Sequence, residues 1–316
     1  MSGATGVVLM TFGSAQTAAD VPAYMSSVRG GRPADPALVA EFTRRYELIG
    51  FSPLVRITMA QGQALQELLD ARHGAGRFRV EVGMLHSEPT IDAAVQRLAA
   101  AHVTSVVGLI LSPQWSPLIM GGYRRALDAA VAAHFPAGIA IVVAEEWHLE
   151  PAFIDTLATG VREALDALPA GARDSVPVLL TAHSLPKVVV DREPQYLDQL
   201  METVRAVAAA AGLDDARWQF AYQSAGHTPE EWLKPDLKDL LPGLKAAGHT
   251  DVLVVPVQFL ADHLEILFDI DVAAREEAES EGLRFHRIRL PNTTPRFIEA
   301  LAAVVEREAA VGASRG

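Results

Sequence analysis

The sequence predicts an α/β fold built from two four-stranded parallel sheets flanked by helices, and three observations carry that expectation. Short β-branched runs alternate with longer, alanine-rich amphipathic stretches along the 316 residues, the pattern of parallel strands covered by helices on both faces. The segment Pro151-Ala152-Phe153-Ile154-Asp155-Thr156-Leu157-Ala158 returns as Pro295-Arg296-Phe297-Ile298-Glu299-Ala300-Leu301-Ala302. Leu111-Ser112-Pro113-Gln114-Trp115 returns at the same offset as Val255-Pro256-Val257-Gln258-Phe259. Repeats in the same order imply a duplicated α/β unit.

Strands are expected at residues 6–11, 79–84, 105–111 and 139–144 in the first copy, and at 177–181, 219–222, 251–257 and 285–290 in the second. Proline suits the first turn of a helix, so Pro151 and Pro295 each open a helix after a fourth strand, and Thr294 is placed to cap the second. The first of these helices leaves one domain for the other. The last, over 295–308, is expected to pack back on the first domain. The resulting division is 1–148 for the N-terminal domain, 149–292 for the C-terminal domain and 293–316 for the returning helix. A cleft shared by the two domains at the carboxyl ends of their strands is where catalytic residues are expected.

Half of the residues are hydrophobic, ample for two cores at this length. No apolar run approaches the roughly 20 residues a membrane helix needs, and no basic, signal-like lead precedes the first strand, so a cytoplasmic protein is expected. The chain has no cysteine. Disulfides, thiolate zinc sites and iron-sulfur clusters are thereby excluded, and any metal must meet oxygen or imidazole ligands. A net charge of −12 argues against nucleic acid as a partner.

One residue stands out against the duplication. Residues 8–14, Val-Leu-Met-Thr-Phe-Gly-Ser, correspond to 178–184, Val-Leu-Leu-Thr-Ala-His-Ser. His183 therefore stands where the first copy has Gly13, in a turn that would favour a small residue. Downstream, 258–271 reads as the start of a helix after a strand, with Asp262, Glu265 and Asp269 spaced to share one face. Acids in a first helical turn commonly serve the helix dipole, but Glu265 and His183 both sit at strand ends of the second domain. A histidine and a glutamate meeting there suit proton removal or the binding of a borderline metal. His263 is expected to point off this face. His73, His102, His134, His148, His249 and His286 show no partner pattern and read as surface or helix-end residues. Thr228-Pro229-Glu230-Glu231 reads as a capping box, which makes Glu231 structural.

The segments T-A-H-S-L-P at 181–186, Y-Q-S-A-G-H-T-P-E-E-W-L-K-P-D at 222–236 and V-P-V-Q-F-L-A-D-H-L-E-I-L-F-D at 255–269 resemble the signature segments of ferrochelatases. The resemblance runs nearly end to end. It also takes in Arg45-Tyr46-Glu47, residues 50–54, His86-Ser87-Glu88-Pro89, residues 113–116 and Pro291-Asn292. It implies two Rossmann-like domains of the chelatase fold and insertion of Fe2+ into a porphyrin, with ferrous iron as substrate and no permanently bound cofactor. A free-base porphyrin loses two pyrrole protons as the metal enters and must bend to expose its nitrogen lone pairs, a strain of roughly 1–5 kcal/mol. By resemblance His183 and Glu265 are the catalytic pair and, with Asp269, the metal-handling residues, and Asp271 extends the metal route. The porphyrin walls would include Phe12, Val28, Trp232 and Pro235, with Ser52, Tyr123, Arg29 and Arg45 near the propionates or the ring edge. For Trp232, core packing is the competing reading. His86 is either an outer contact or a structural histidine.

The chain departs from the family at Phe12, where close relatives often carry a tyrosine, so no axial phenol is available from that position. The next step of the acidic ridge falls on apolar Val272 or Ala273, which shortens the expected metal channel. With no long targeting segment or membrane-gripping lip in view, the soluble type that uses coproporphyrin III is expected, with protoporphyrin IX as the other substrate in view. A monomer is expected, with a haem acceptor or neighbouring haem-pathway enzymes as transient partners. Two other readings are a chelatase for another divalent metal and tetrapyrrole, and a noncatalytic porphyrin or haem carrier.

Overall fold

The computed structural model describes residues 3–226 and 229–315. The chain divides into two compact units, Met1–Glu150 with Asn292–Gly316, and Pro151–Pro291. The first contains β1 (Thr5–Thr11), α1 (Val21–Val28), α2 (Pro36–Leu48), α3 (Leu54–His73), β2 (Phe78–Met84), α4 (Ile91–Ala100), β3 (Ser105–Ile110), α5 (Pro117–His134) and β4 (Ala140–Ala144). The second contains α6 (Pro151–Asp166), α7 (Ala170–Arg173), β5 (Val178–His183), α8 (Lys187–Val190), α9 (Pro194–Ala210), β6 (Trp218–Gln223), α10 (Leu237–Ala246) and β7 (Asp251–Pro256). A π-helix (Glu265–Ala274), α11 (Arg275–Ser280) and β8 (Arg284–Arg287) complete it, and α12 (Pro295–Arg315) returns to the first unit.

Each unit holds one four-stranded sheet, in the order β2-β1-β3-β4 and β6-β5-β7-β8, and all pairings are parallel. Strand β1 is buried along its whole length, as expected for a parallel strand covered on both faces. On one face α4 and α5 bring Val95, Leu98 and Leu127 against Val8, Met10, Val106 and Ile110. On the other, α3 and α12 bury Leu65, Leu69, Leu301, Val304 and Val305. A fully buried leucine such as Leu98 contributes about 1.5–3 kcal/mol, and truncation to alanine would cost about 2–5 kcal/mol because a cavity is left.

The second unit repeats the plan. Val252 and Val254 of β7 pack with Leu237, Leu241 and Leu244 of α10 and with Ile266, Ile270 and Ala274 of the π-helix. Buried Phe153, Leu157 and Val161 of α6 and Tyr196, Leu200 and Val204 of α9 form its other layer. Capping chemistry sets several starts. Asp35 accepts from Ala37 ahead of Pro36, Ser116 from Ile119 ahead of Pro117, and Asp236 from Lys238. No helix of the described residues is long and apolar enough to cross a membrane.

Three expectations are corrected. Strand β8 ends at Arg287 rather than 290, since its only neighbour β7 pairs with it over Asp251–Val254 and soon reaches Pro256, which has no N–H to donate. Helix α12 runs to Arg315, past the end expected near 308 but within the returning segment 293–316. The two copied turns also differ in backbone. Gly13 has φ +91°, and a Cβ there would lie 2.5 Å from Ser87 Oγ, whereas His183 is still the last residue of β5, paired with Gln223. The histidine extends a strand and does not replace glycine in a tight turn.

Candidate active site

In a parallel sheet, ligands gather outside the carboxyl ends of the strands where the chain's direction of winding reverses. In the second unit this point lies between β5 and β7, and His183 ends β5. Its main chain is held from two sides. The His183 N–H donates to Gln258 Oε1 at 2.9 Å, and the Gln258 amide donates to the Tyr196 hydroxyl. The Ser184 N–H donates to the Gln223 carbonyl at 2.7 Å, and Ser184 Oγ donates to the Leu233 carbonyl at 3.0 Å. The His183 ring contacts the Ser184 carbonyl through Nδ1. A carbonyl can only accept, so Nδ1 carries the hydrogen and Nε2 faces Glu265 Oε1 at 3.5 Å.

Glu265 opens the π-helix. Ile266, Ile270 and Ala274 fix one side of that helix to the sheet, which leaves Glu265 and Asp269, each one residue earlier, on the adjoining face. Asp262 is not on this ridge. The helical stretch starts only at Leu264, and Asp262 turns to Arg287 Nη2 at 3.3 Å. The same start corrects the placement of His263. Lying ahead of the helix, it presents Nε2 to Glu265 Oε2 at 3.4 Å and donates from Nδ1 to the Ala261 carbonyl at 2.9 Å. Asp271 does not extend a metal route either, because Arg287 holds its two oxygens through Nε and Nη2 at 2.7 Å each.

The electrostatics follow from this packing. Burial disfavours a charged His183, but the Glu265 carboxylate, the Ser184 carbonyl and Asp269 outweigh it and raise the imidazolium above its ordinary range. Burial likewise raises Glu265, and His183 and His263 more than reverse that, holding it well below the usual carboxylate range. Both side chains keep an opening to solvent, at 27% and 39% exposure, so water screens the attraction and its direction carries the chemistry.

Trp232 lies half-buried with its ring centroid 6.5 Å from that of His183, so it is not simply a core residue. Its segment is fastened by the Leu233 N–H to the Leu185 carbonyl and by the Lys187 N–H to the Glu231 carbonyl. Gly226 admits the indole, since a Cβ there would lie 2.5 Å from the Trp232 ring. Pro235 is exposed beside it. Of the capping box read at 228–231, Thr228 lies outside the described residues. Glu231 belongs to no helix, because α10 begins at Leu237 and Asp236 caps it.

In the first unit, Phe12 and Val28 are exposed large apolar side chains, at 40% and 42%. Phe12 packs edge-on against His86, with centroids 4.5 Å apart, and His86 Nδ1 bonds Ser27 Oγ at 3.0 Å. Burial pulls the His86 imidazolium down, so this ring favours its neutral form. Arg29 is exposed at the end of α1. Arg45 pairs with Glu41 at 2.8 Å and lies over Phe42. Ser52 is buried and accepts from the Leu54 N–H at the start of α3. Tyr123 is buried in the core of this unit, and burial pushes its phenol above its ordinary range.

Several histidines read as unpartnered do have partners. His73 meets Glu306 at 2.8 Å, His134 meets Asp92 at 2.9 Å and His286 meets Asp251 at 2.9 Å, while His148 is buried. Each partner is distant in sequence, so local spacing carried no sign of it.

Among solved structures the chain is similar to the sirohydrochlorin chelatase of Bacillus subtilis subspecies spizizenii, with a TM-score of 0.55 at 12% identity, covering 97% of this chain and 95% of that one. That likeness defines the chelatase fold. The family model described as Ferrochelatase matches residues 4–309. The ferrochelatase of Deinococcus radiodurans is 39% identical over 307 residues, 96% of each chain. The coproporphyrin III ferrochelatase of Geobacillus kaustophilus is 35% identical, covering 95% of this chain and 94% of that one. The chain belongs to the ferrochelatase family, whose members are metal-insertion enzymes of haem biosynthesis.

Proposed function

We propose that this chain inserts Fe2+ into coproporphyrin III and that His183, Glu265 and His263 handle the protons. One observation carries the reading: two imidazoles present Nε2 to the two oxygens of a single carboxylate, at 3.5 and 3.4 Å. A free-base porphyrin gives up two pyrrole protons as iron enters. His183, whose proton the Glu265 pairing holds until pH rises toward about 9, must first release it from Nε2 to solvent; the neutral ring then accepts one pyrrole proton at Nε2, and Glu265 stabilises the imidazolium so formed. The second proton goes to Nε2 of His263 in its neutral form, beside the other carboxylate oxygen, and both imidazoles then pass their protons to solvent. Asp269, farther along the same helix face, is an oxygen ligand suited to delivering iron without retaining it. In the second unit, Trp232 near His183 and Pro235 offer half-exposed and exposed apolar surface for the macrocycle; in the first unit, Phe12 and Val28 are exposed apolar side chains of the same character and Arg29 an exposed cation of the kind carboxylates pair with. Ser52, Tyr123 and Arg45 already serve a helix start, a core and an ion pair, and they rank behind these.

The choice of coproporphyrin III is supported by relatives of that name at 33–35% identity. The deciding experiment mixes the purified protein anaerobically with Fe2+ and either coproporphyrin III or protoporphyrin IX and follows the Soret band. Faster metallation of coproporphyrin III is expected, and His183→Ala should lower turnover by roughly 10²–10⁴. Metallation of neither porphyrin above the spontaneous rate would remove the enzymatic reading.

A further inference from the structure

The Arg287 side chain is only 13% exposed, and each of its three nitrogens has a partner. Nε and Nη2 each meet an Asp271 oxygen at 2.7 Å, Nη2 also meets Asp262 Oδ1 at 3.3 Å, and Nη1 donates to the Ile288 carbonyl at 3.0 Å. Asp262 immediately precedes His263, and Asp271 follows Asp269 within the π-helix. One cation therefore fastens both ends of the segment that carries His263, Glu265 and Asp269.

We propose that Arg287 is a positioning residue for metal insertion, tying Asp262 and Asp271 together so that the π-helix keeps the winding that aims Glu265 at His183. The inference rests on the functional reading above. The physical reason lies in the helix. A π turn is rare and less favourable than an α turn, so it persists only where its surroundings impose it. Between Glu265 and Asp271, α winding would swing Asp271 by roughly a third of a turn from its present bearing. A bidentate arginine–carboxylate pair tolerates little of that, because two parallel N–H···O bonds need the carboxylate edge-on. The Arg287–Asp271 pair thus holds only in the π register. Arg275, from the first turn of α11, adds to it by donating to the Asp271 carbonyl at 3.0 Å.

The test compares Arg287→Met, which keeps an apolar stem without charge, with Arg287→Lys and Asp271→Asn. For Arg287→Met we expect kcat to fall about tenfold or more while KM for porphyrin stays within about twofold, the signature of misplaced reacting groups with binding intact. Amide hydrogen exchange of residues 266–271 should quicken while that of β5 and β7 is unchanged. Arg287→Lys should recover part of kcat, and Asp271→Asn should lose it in the same direction. Wild-type kcat and wild-type exchange in Arg287→Met would overturn the proposal. So would exchange that quickens evenly through the second unit, which marks a general loss of stability. Should Arg287→Met fail to fold, Asp271→Asn carries the same readouts. If the wild-type protein metallates no porphyrin, the functional reading fails on its own, and local exchange in the variants still decides whether Arg287 holds the helix.

Discussion

The main-chain N–H of His183 is bonded to the side chain of Gln258, whose amide reaches the Tyr196 hydroxyl. The imidazole is thus placed by a strut from β5 to α9 as well as by its own strand. Gln258→Leu leaves that N–H without its acceptor, at a cost of about 1–3 kcal/mol. Because the ring also shifts, turnover should fall roughly tenfold. Steady-state kinetics together with urea unfolding check both, and an unchanged kcat would show that the strut supports only the fold.

The pH dependence of the His183–Glu265 pair has a defined sign. The folded chain holds the His183 proton more tightly and the Glu265 proton less tightly than the unfolded chain does, so the pair stabilises fully between about pH 4.5 and 6.5, loses that effect as pH rises toward about 9, and loses it again in stronger acid. Glu265→Gln removes the carboxylate, and His183 should titrate lower. Long-range nitrogen–proton NMR of the His183 ring measures the change, and the variant's stability should vary less between pH 6 and 9.

Asp251 gives the opposite sign at the other end of the sheet. Arg284 chiefly, then His286 and Thr250, hold its carboxyl well below the usual range against the effect of burial. Its contribution is present above about pH 3.8 and is lost as acid protonates the folded carboxylate. Asp251→Asn should cost roughly 1–2 kcal/mol at pH 7, since Arg284 keeps access to water. Urea midpoints at pH 7 and pH 3 should show that deficit shrinking in acid.

Gly13 has a left-handed backbone at φ +91° and no room for a methyl group beside Ser87. Gly13→Ala should therefore destabilise by about 1–3 kcal/mol, combining backbone strain with displacement of Ser87. A lowered Tm checks it. Turnover per folded molecule should fall as well if Phe12, the preceding residue, lines the macrocycle site.

Periodicity and internal repeats made both sheets legible, because a parallel strand such as β1 reads as one apolar run and a duplicated chain states its plan twice. His183 and Glu265 were legible because each ends or follows a strand in a recognisable segment. The rest depended on winding and distance. Spacing cannot distinguish a π-helix starting at Glu265 from an α-helix starting earlier, and His263 was misplaced for that reason. Asp271 looked like a ligand because Arg287, sixteen residues away, is not a local neighbour. Tyr123 and Ser52 rested on resemblance, and the structure buries the first in a core and bonds the second to a helix start, placements that depend on residues distant in sequence or on the turn before α3.

The Nδ1–H of His183 points to the carbonyl of Ser184, and that of His263 to the carbonyl of Ala261. Both rings are thereby committed to one tautomer by oxygens of their own local backbone, before any macrocycle arrives. A proton reaching either Nε2 needs no ring flip. The reorganisation of the ring itself has already been met in folding, and each Nε2, once it has released its own proton, receives the next one in the same fixed place.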